Sequence, residues 1–402
     1  MPALELVEKD ISLRMLMRVL PLLDKLHACG TERDTAGNRT LFFDDYAKLV
    51  LVYLFNPLID SISMLQRAAA LPKLARQLGI KDFSKPSFSE ASAVFDPSML
   101  QAVVSELAGE LRKLPADPRL ADIKQAIRLA DGTLLTALPK LVETLYRPNR
   151  DGTPHHAWRV HALLDLEHGV PTVMRLTGAS PRGVDNEQRV LEAVVEKNHL
   201  YVADRGYFDK KLLSRIVRAG SSYVFRVPEN IRYDIVEQRP LSPAAIAAGV
   251  LSDAVVRLED LAHPARLVKV KADLHTKRTR KGYLTSSGEM LLLCDDLELA
   301  AELISLLYSY RWTIETFFKF LKQLLGCRHL ISQRKNGVQI QVYCAMIACM
   351  LLNLWTGIKP AKAVMEMFLW HALGFADDED VIRQIDKTRR EQEKAGAKKL
   401  GM

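Results

Sequence analysis

The stretch from Ile123 to Val227 restricts the fold more than any other part of the chain. Ile123–Leu138 carries apolar runs on both sides of Asp131, as a buried strand does. Ala157–Leu166 and Pro171–Leu176 are β-compatible and meet at the turn-like Glu167-His168-Gly169-Val170. Helical spacing follows at Asn186–Lys197, then a short apolar strand at Leu200–Ala203 that ends on Asp204. A helix at Lys210–Ala219, closed by Gly220, leads into a last strand at Ser222–Val227. Three strands and then helix–strand–helix–strand predict an α/β fold. It is a mixed sheet with helices on its faces, because an apolar sheet face must be covered.

The flanks read differently. Residues 1–118 are helical in pattern, with apolar spacing over Leu13–Leu26, Asp44–Leu54 and Phe88–Leu111; Pro115 and Pro118 mark a boundary. Pro240, Pro264, Gly249, Gly282 and Gly288 break up residues 229–298, where Ala265–Ala272 and Met290–Leu293 are strand-like. That region reads as an inserted, mainly β subdomain. Leu299–Leu325 is expected as one long helix and Val338–Leu354 as another. The organisation expected is a helical N-terminal domain (1–118), a core in two parts (119–228 and 299–375), the insertion (229–298) and a charged tail (376–402). The tail starts acidic, ends basic and has few apolar residues, so a loosely held helix or no fixed structure is expected.

Composition narrows the function. The apolar share of 48% allows a large core. No secretory signal pattern is visible, and the longest apolar run, Val342–Trp355, is shorter than the ~20 residues of a membrane span and contains Asn353. A soluble, cytoplasmic protein with no membrane partner is expected. The five cysteines are odd in number and scattered, which fits neither a disulfide framework nor a zinc site. The chain has a net charge of +8, and Lys277, Arg278, Arg280 and Lys281 form a dense local cluster within it. A solvated loop would tolerate such a cluster, whereas a phosphate backbone would neutralise it and release counterions.

Three carboxylates stand where carboxylates are costly. Asp131 lies inside an apolar strand and Asp204 at the end of another, the place where ligands collect in open α/β sheets. Alone, Asp131 could be held by Thr133, and Asp204 could cap a helix or pair with Arg205. The third, Glu315, belongs to a set with Tyr308, Arg311 and Lys322. At ~100° per residue these four fall at about 0°, 300°, 340° and 320°, one narrow stripe of a helix. An Arg311–Glu315 pair on a solvated helix would be worth only a few tenths of a kcal/mol. Together, the groups suit phosphodiester chemistry. Two Mg²⁺ ions held by a few carboxylates can activate an oxygen nucleophile and stabilise a leaving oxygen, and cationic or hydroxyl groups can hold the flanking phosphates.

Asp131-Gly132-Thr133, Asp204-Arg205-Gly206-Tyr207, the Tyr308/Arg311/Glu315/Lys322 set and Gly326-Cys327-Arg328-His329-Leu330 give the chain its kinship. It resembles the DDE transposases of bacterial insertion sequences, in the insertion sequence 4 type with the Y-R-E-K signature, over roughly 120–360. The resemblance implies a ribonuclease-H-like core with a β-rich insertion. It implies Asp131, Asp204 and Glu315 as catalytic metal ligands, with two Mg²⁺ ions that Mn²⁺ can replace. Double-stranded DNA is the implied partner, both element ends and target, and a homodimer the implied synaptic form. The 111 residues between Asp204 and Glu315 leave room for an insertion. Some members stack a flipped base on a Trp of the inserted region; residues 229–298 have no Trp, only Tyr233 and Tyr283. Trp312 is expected to pack in the core. The alternatives are a ribonuclease-H-like nuclease without strand transfer and a non-enzymatic DNA-binding protein derived from a transposase.

Overall fold

A computed structural model describes residues 11–27, 29, 34, 37–56, 58–136, 147–148, 154–155, 157–178, 186–272, 276–279, 282–285, 288–324, 330–332 and 334–398. The apolar run around Asp131 forms β1 (Ala126–Thr136). β2 (Ala157–Asp165) and β3 (Pro171–Gly178) follow as an antiparallel meander. β4 (His199–Ala203) returns parallel to β1, and β5 (Ser222–Val227) lies parallel to β4. These five strands stand in the order β3-β2-β1-β4-β5, the ribonuclease-H-like mixed sheet that the resemblance implies.

Four strands within residues 229–298 join the core sheet. β6 (Asp234–Arg239), β7 (Val250–Arg257), β8 (Ala265–Lys271) and β9 (Glu289–Cys294) continue the sheet from β5 as β5-β9-β8-β7-β6, giving nine strands. β9 pairs antiparallel with β5, which would otherwise be an open edge. The basic run 277–281 touches a separate hairpin in which Thr276–Thr279 pairs with Gly282–Thr285. Arg280 and Lys281 fall outside the described residues.

Alternation along the strands splits the core. Leu129 and Leu135 of β1 turn to one face, and Ala130 turns to the other, where it meets Leu212, Leu213 and Ile216 of helix Lys210–Arg218. Gly220 follows that helix with φ +74°, as a closing glycine should. The first face is covered by a central helix, Lys335–Thr356, packed on β3 and on helices Ile11–Asp24, Phe43–Phe55 and Leu100–Ala108. It is the one helix among the described residues long and apolar enough to cross a membrane, and it is buried inside the protein. The N-terminal helices therefore share a continuous core with the sheet, from Leu16 through Leu107 to Leu176 and Leu352.

One apolar run is divided at Pro97, one expected helix is broken in two, and the tail takes the helical one of its two expected forms. The Phe88–Leu111 run is cut into Lys85–Val94 and Leu100–Ala108, because Pro97 lacks an N–H and Asp96 caps the short turn that it starts. Leu299–Leu325 is two helices, Ala301–Ser309 and Trp312–Leu324. At the join, Arg311 N–H bonds to Tyr308 O (3.0 Å) and Thr313 N–H to Tyr310 O (2.8 Å), a three-residue tightening. Ser309 Oγ bonds back to Leu306 O (2.6 Å), which bends a helix in the same direction. The tail is a single helix, Asp378–Lys398.

Candidate active site

Register places the two aspartates. Ala130 of β1 stands beside Ala203 of β4, so Asp131 and Asp204 are the next residues on neighbouring parallel strands. Asp131 is about four-fifths covered, and its Oδ1 accepts from Gly132 N–H at 2.7 Å. Burial raises its pKa to about 6; the Gly132 amide and Arg311 pull it down, while the charges of Asp204 and Glu315 push it up. Asp204 Oδ1 caps the turn Arg205–Tyr207 through Arg205 N–H at 2.8 Å, so the cap reading of this residue holds. The same oxygen accepts from Tyr308 Oη at 3.1 Å and lies 3.7 Å from Arg226 Nη1.

The break at residues 310–311 brings the third carboxylate in. One nitrogen, Arg311 Nη1, lies 2.6 Å from Glu315 Oε1 and 3.7 Å from Asp131 Oδ2. The guanidinium is buried, and sits over the rings of Tyr308 and Trp312 at 5.6 and 5.5 Å. Burial opposes its charge, but Tyr308, Glu315 and Asp204 outweigh burial and hold its pKa above the ordinary value. Its Nε has no hydrogen-bond partner. Tyr308 is buried too; burial and then the Asp204 charge push its phenol upward, so it serves as a donor. Trp312 is exposed, contrary to expectation, because it begins the second helix after the join and turns outward.

Asp131, Asp204, Glu315, Tyr308 and Arg311 thus converge. Lys322 does not. It is half-buried, two helical turns or about 10 Å beyond Glu315. Among the described residues no hydrogen bond or ion pair joins it to the others. Arg226 was not legible as a member, although a lone arginine between Phe225 and Val227 in an apolar strand was an available signal. Oxygen donors without thiol or imidazole suit a hard divalent ion. Even so, no group of three or more His, Cys, Asp or Glu among the described residues is arranged around a common point; the carboxylates face arginines.

Fold and site define an α/β protein whose sheet and neighbouring helix carry three carboxylates, each facing an arginine. The family model of the transposase DDE domain matches residues 123–352, more than half of the chain, and the chain belongs to that family. Members of the family use divalent metal ions. A protein of Sinorhizobium fredii named as transposase y4zB is 28% identical over 200 residues, 49% of this chain and 52% of its own. A Synechocystis protein named for insertion sequence element IS4SA is 26% identical over 69% of this chain and 74% of its own. A Geobacillus stearothermophilus protein named for element IS5377 is 26% identical, with 56% of each chain covered. The match thus spans about half the length of two of these relatives. A solved piggyBac transposase synaptic complex with hairpin DNA aligns at a TM-score of 0.48 and 11% identity, over 96% of this chain and 82% of its own.

Proposed function

We propose that this chain cuts and rejoins DNA at the ends of an insertion sequence. The observation that carries the reading is a linked set, in which Arg311 lies between Asp131 and Glu315 while Tyr308 and Arg226 face Asp204. Asp131, Asp204 and Glu315 would hold two Mg²⁺ ions, with Mn²⁺ able to replace them. When bound, these ions would activate the attacking oxygen and stabilise the leaving one. Arg311 and Arg226, released from the carboxylates, would turn to phosphate oxygens, and Tyr308 would donate to one. Lys322 would reach a phosphate farther along the strand, and Lys277, Arg278, Arg280 and Lys281 would hold backbone. Residues 1–118 would read the element end, and two copies would pair two ends before cutting and joining to target DNA.

The test is cleavage and joining of paired element ends. Asp131→Asn, Asp204→Asn and Glu315→Gln should each lower cleavage by about 10³-fold or more, the scale on which loss of a charge-stabilising group is felt. End binding, followed by gel shift, should persist. A residue whose variant cleaves at the wild-type rate leaves the site. Cleaved but never joined ends from the wild-type protein would turn the reading to a nuclease without strand transfer.

A further inference from the structure

The C-terminal helix, Asp378–Lys398, takes no part in the site above. Its acidic start and basic end suit a helix dipole, but the dipole does not dictate the direction in which side chains point. One face is fixed to the protein. Val381 and Thr388 are buried, and Arg389 Nη2 donates to Thr356 O (3.1 Å). Gln392 donates to Lys359 O and accepts from Lys359 N–H, both at 3.0 Å. The opposite face carries Arg383, Lys387, Arg390 and Lys394, all exposed. At ~100° per residue they fall at about 0°, 40°, 340° and 20°, a stripe about 16 Å long. Arg383 pairs with Asp380 at 2.7 Å. Among the described residues no ion pair or hydrogen bond engages Lys387, Arg390 or Lys394. Glu391 and Glu393 lie off the stripe, to its two sides.

Like charges at this spacing destabilise a helix by a few tenths of a kcal/mol per pair. The anchored face keeps them in line nonetheless. Among the described residues no hydrogen bond or ion pair joins this helix to Asp131, Asp204 or Glu315. Its anchors, Thr356 and Lys359, adjoin the turn after β2, where Asn353 bonds His168 O; that turn follows Asp165, the partner of Arg128 at the start of β1. Asp131 sits in the middle of β1, opposite Ala162 of β2, and Asp204 just past the end of β4.

We propose that Lys387, Arg390 and Lys394, with Arg383, form a second DNA-binding surface that grips the phosphate backbone of duplex DNA without regard to sequence, away from the phosphodiester at the carboxylates. A 16 Å stripe passes about five phosphates of one strand. Its four residues all bring positive charge, which the phosphates of any sequence can neutralise.

The full-length triple variant Lys387→Gln/Arg390→Gln/Lys394→Gln tests this. Binding to a labelled duplex without element ends is followed by anisotropy, without divalent metal, from roughly 50 to 200 mM salt. The slope of log K against log salt should become shallower by about 0.9 for each phosphate no longer neutralised, up to roughly 2.7. The charge-keeping variant Lys387→Arg/Arg390→Lys/Lys394→Arg should restore it. Should the triple variant misfold by circular dichroism, the single variants Lys387→Gln and Lys394→Gln should each account for about 0.9. An unchanged slope in a folded variant overturns the proposal. So does an unchanged slope with loss of dimer mass in light scattering, which would give the stripe to a second copy. The proposal rests on the reading that the chain handles duplex DNA. Wild-type protein that binds no duplex would fault that reading, whereas normal wild-type binding with an unaltered variant slope faults the stripe alone.

Discussion

His161 stands across from Gly132 in the β1–β2 register, one residue along from Asp131. Its ring is buried; Nε2 lies 2.9 Å from Thr177 Oγ1, and Nδ1 has no partner. Burial, and then the charge of Arg159, hold its pKa down to about 4, so the ring is neutral at pH 7. An unfolded histidine titrates near 6.5. Its contribution to stability is therefore complete above about pH 6.5 and is lost as pH falls toward about 4, a difference of about 3 kcal/mol. Asp131 and Asp295, raised by burial to about 6, act in the opposite direction over the same window. Only the difference between wild type and variant isolates the histidine. The urea midpoint of His161→Gln, whose amide can still meet Thr177, should fall less between pH 6.5 and 4.5 than that of the wild type. Parallel pH profiles would mean that His161 does not titrate as its surroundings demand.

Asn353 shows what the elements carry beyond their pattern. It is fully buried in the central helix, and its side chain makes three hydrogen bonds. Nδ2 donates to Arg112 O (3.1 Å) and His168 O (2.9 Å), and Oδ1 accepts from Arg112 N–H (2.9 Å). It ties the segment before the sheet, the β2–β3 turn and the central helix together. Asn353→Leu should lower unfolding free energy in urea by about 3–5 kcal/mol, since three backbone groups lose their partner at about 1–3 kcal/mol each. A loss below about 1 kcal/mol would show that water replaces the amide. In the sequence Asn353 read only as an interruption of an apolar run, because Arg112 and His168 are remote along the chain. The strands of the core were legible for the converse reason: apolar runs and turn residues are local signals, and Ser222–Val227 has the bounds its pattern predicts. The stripe of Tyr308, Arg311 and Glu315 was legible as a spacing, while the join after Ser309 was not. The join depends on a serine bonding back and on Tyr310 Oη reaching Asp117 at 2.6 Å, a contact across 193 residues. Arg226 stayed hidden because its significance lies in the neighbour strand's Asp204.

Across the whole molecule, the shared core ties the N-terminal helices to the carboxylates. Tyr46, Phe88, Phe95 and Leu107 belong to the same apolar cluster as Leu129, Val160 and the central helix. Gln101 Nε2 bonds Tyr343 Oη (2.8 Å), Ser332 Oγ bonds Ser92 Oγ (3.1 Å), and Leu114 N–H bonds Glu167 O (2.8 Å). A strain on the N-terminal helices would reach the sheet through these packed side chains. A chain shortened to begin at residue 119 should therefore fail to fold. Uncovering five large side chains of the central helix would cost about 7–15 kcal/mol, which equals the whole stability of an ordinary domain. Such a fragment should show no cooperative transition in calorimetry and should bind a hydrophobic dye. If it instead melts in one sharp transition, residues 1–118 are a separate module. The central helix must then find other cover, and DNA recognition by the N-terminal helices would be mechanically independent of cutting.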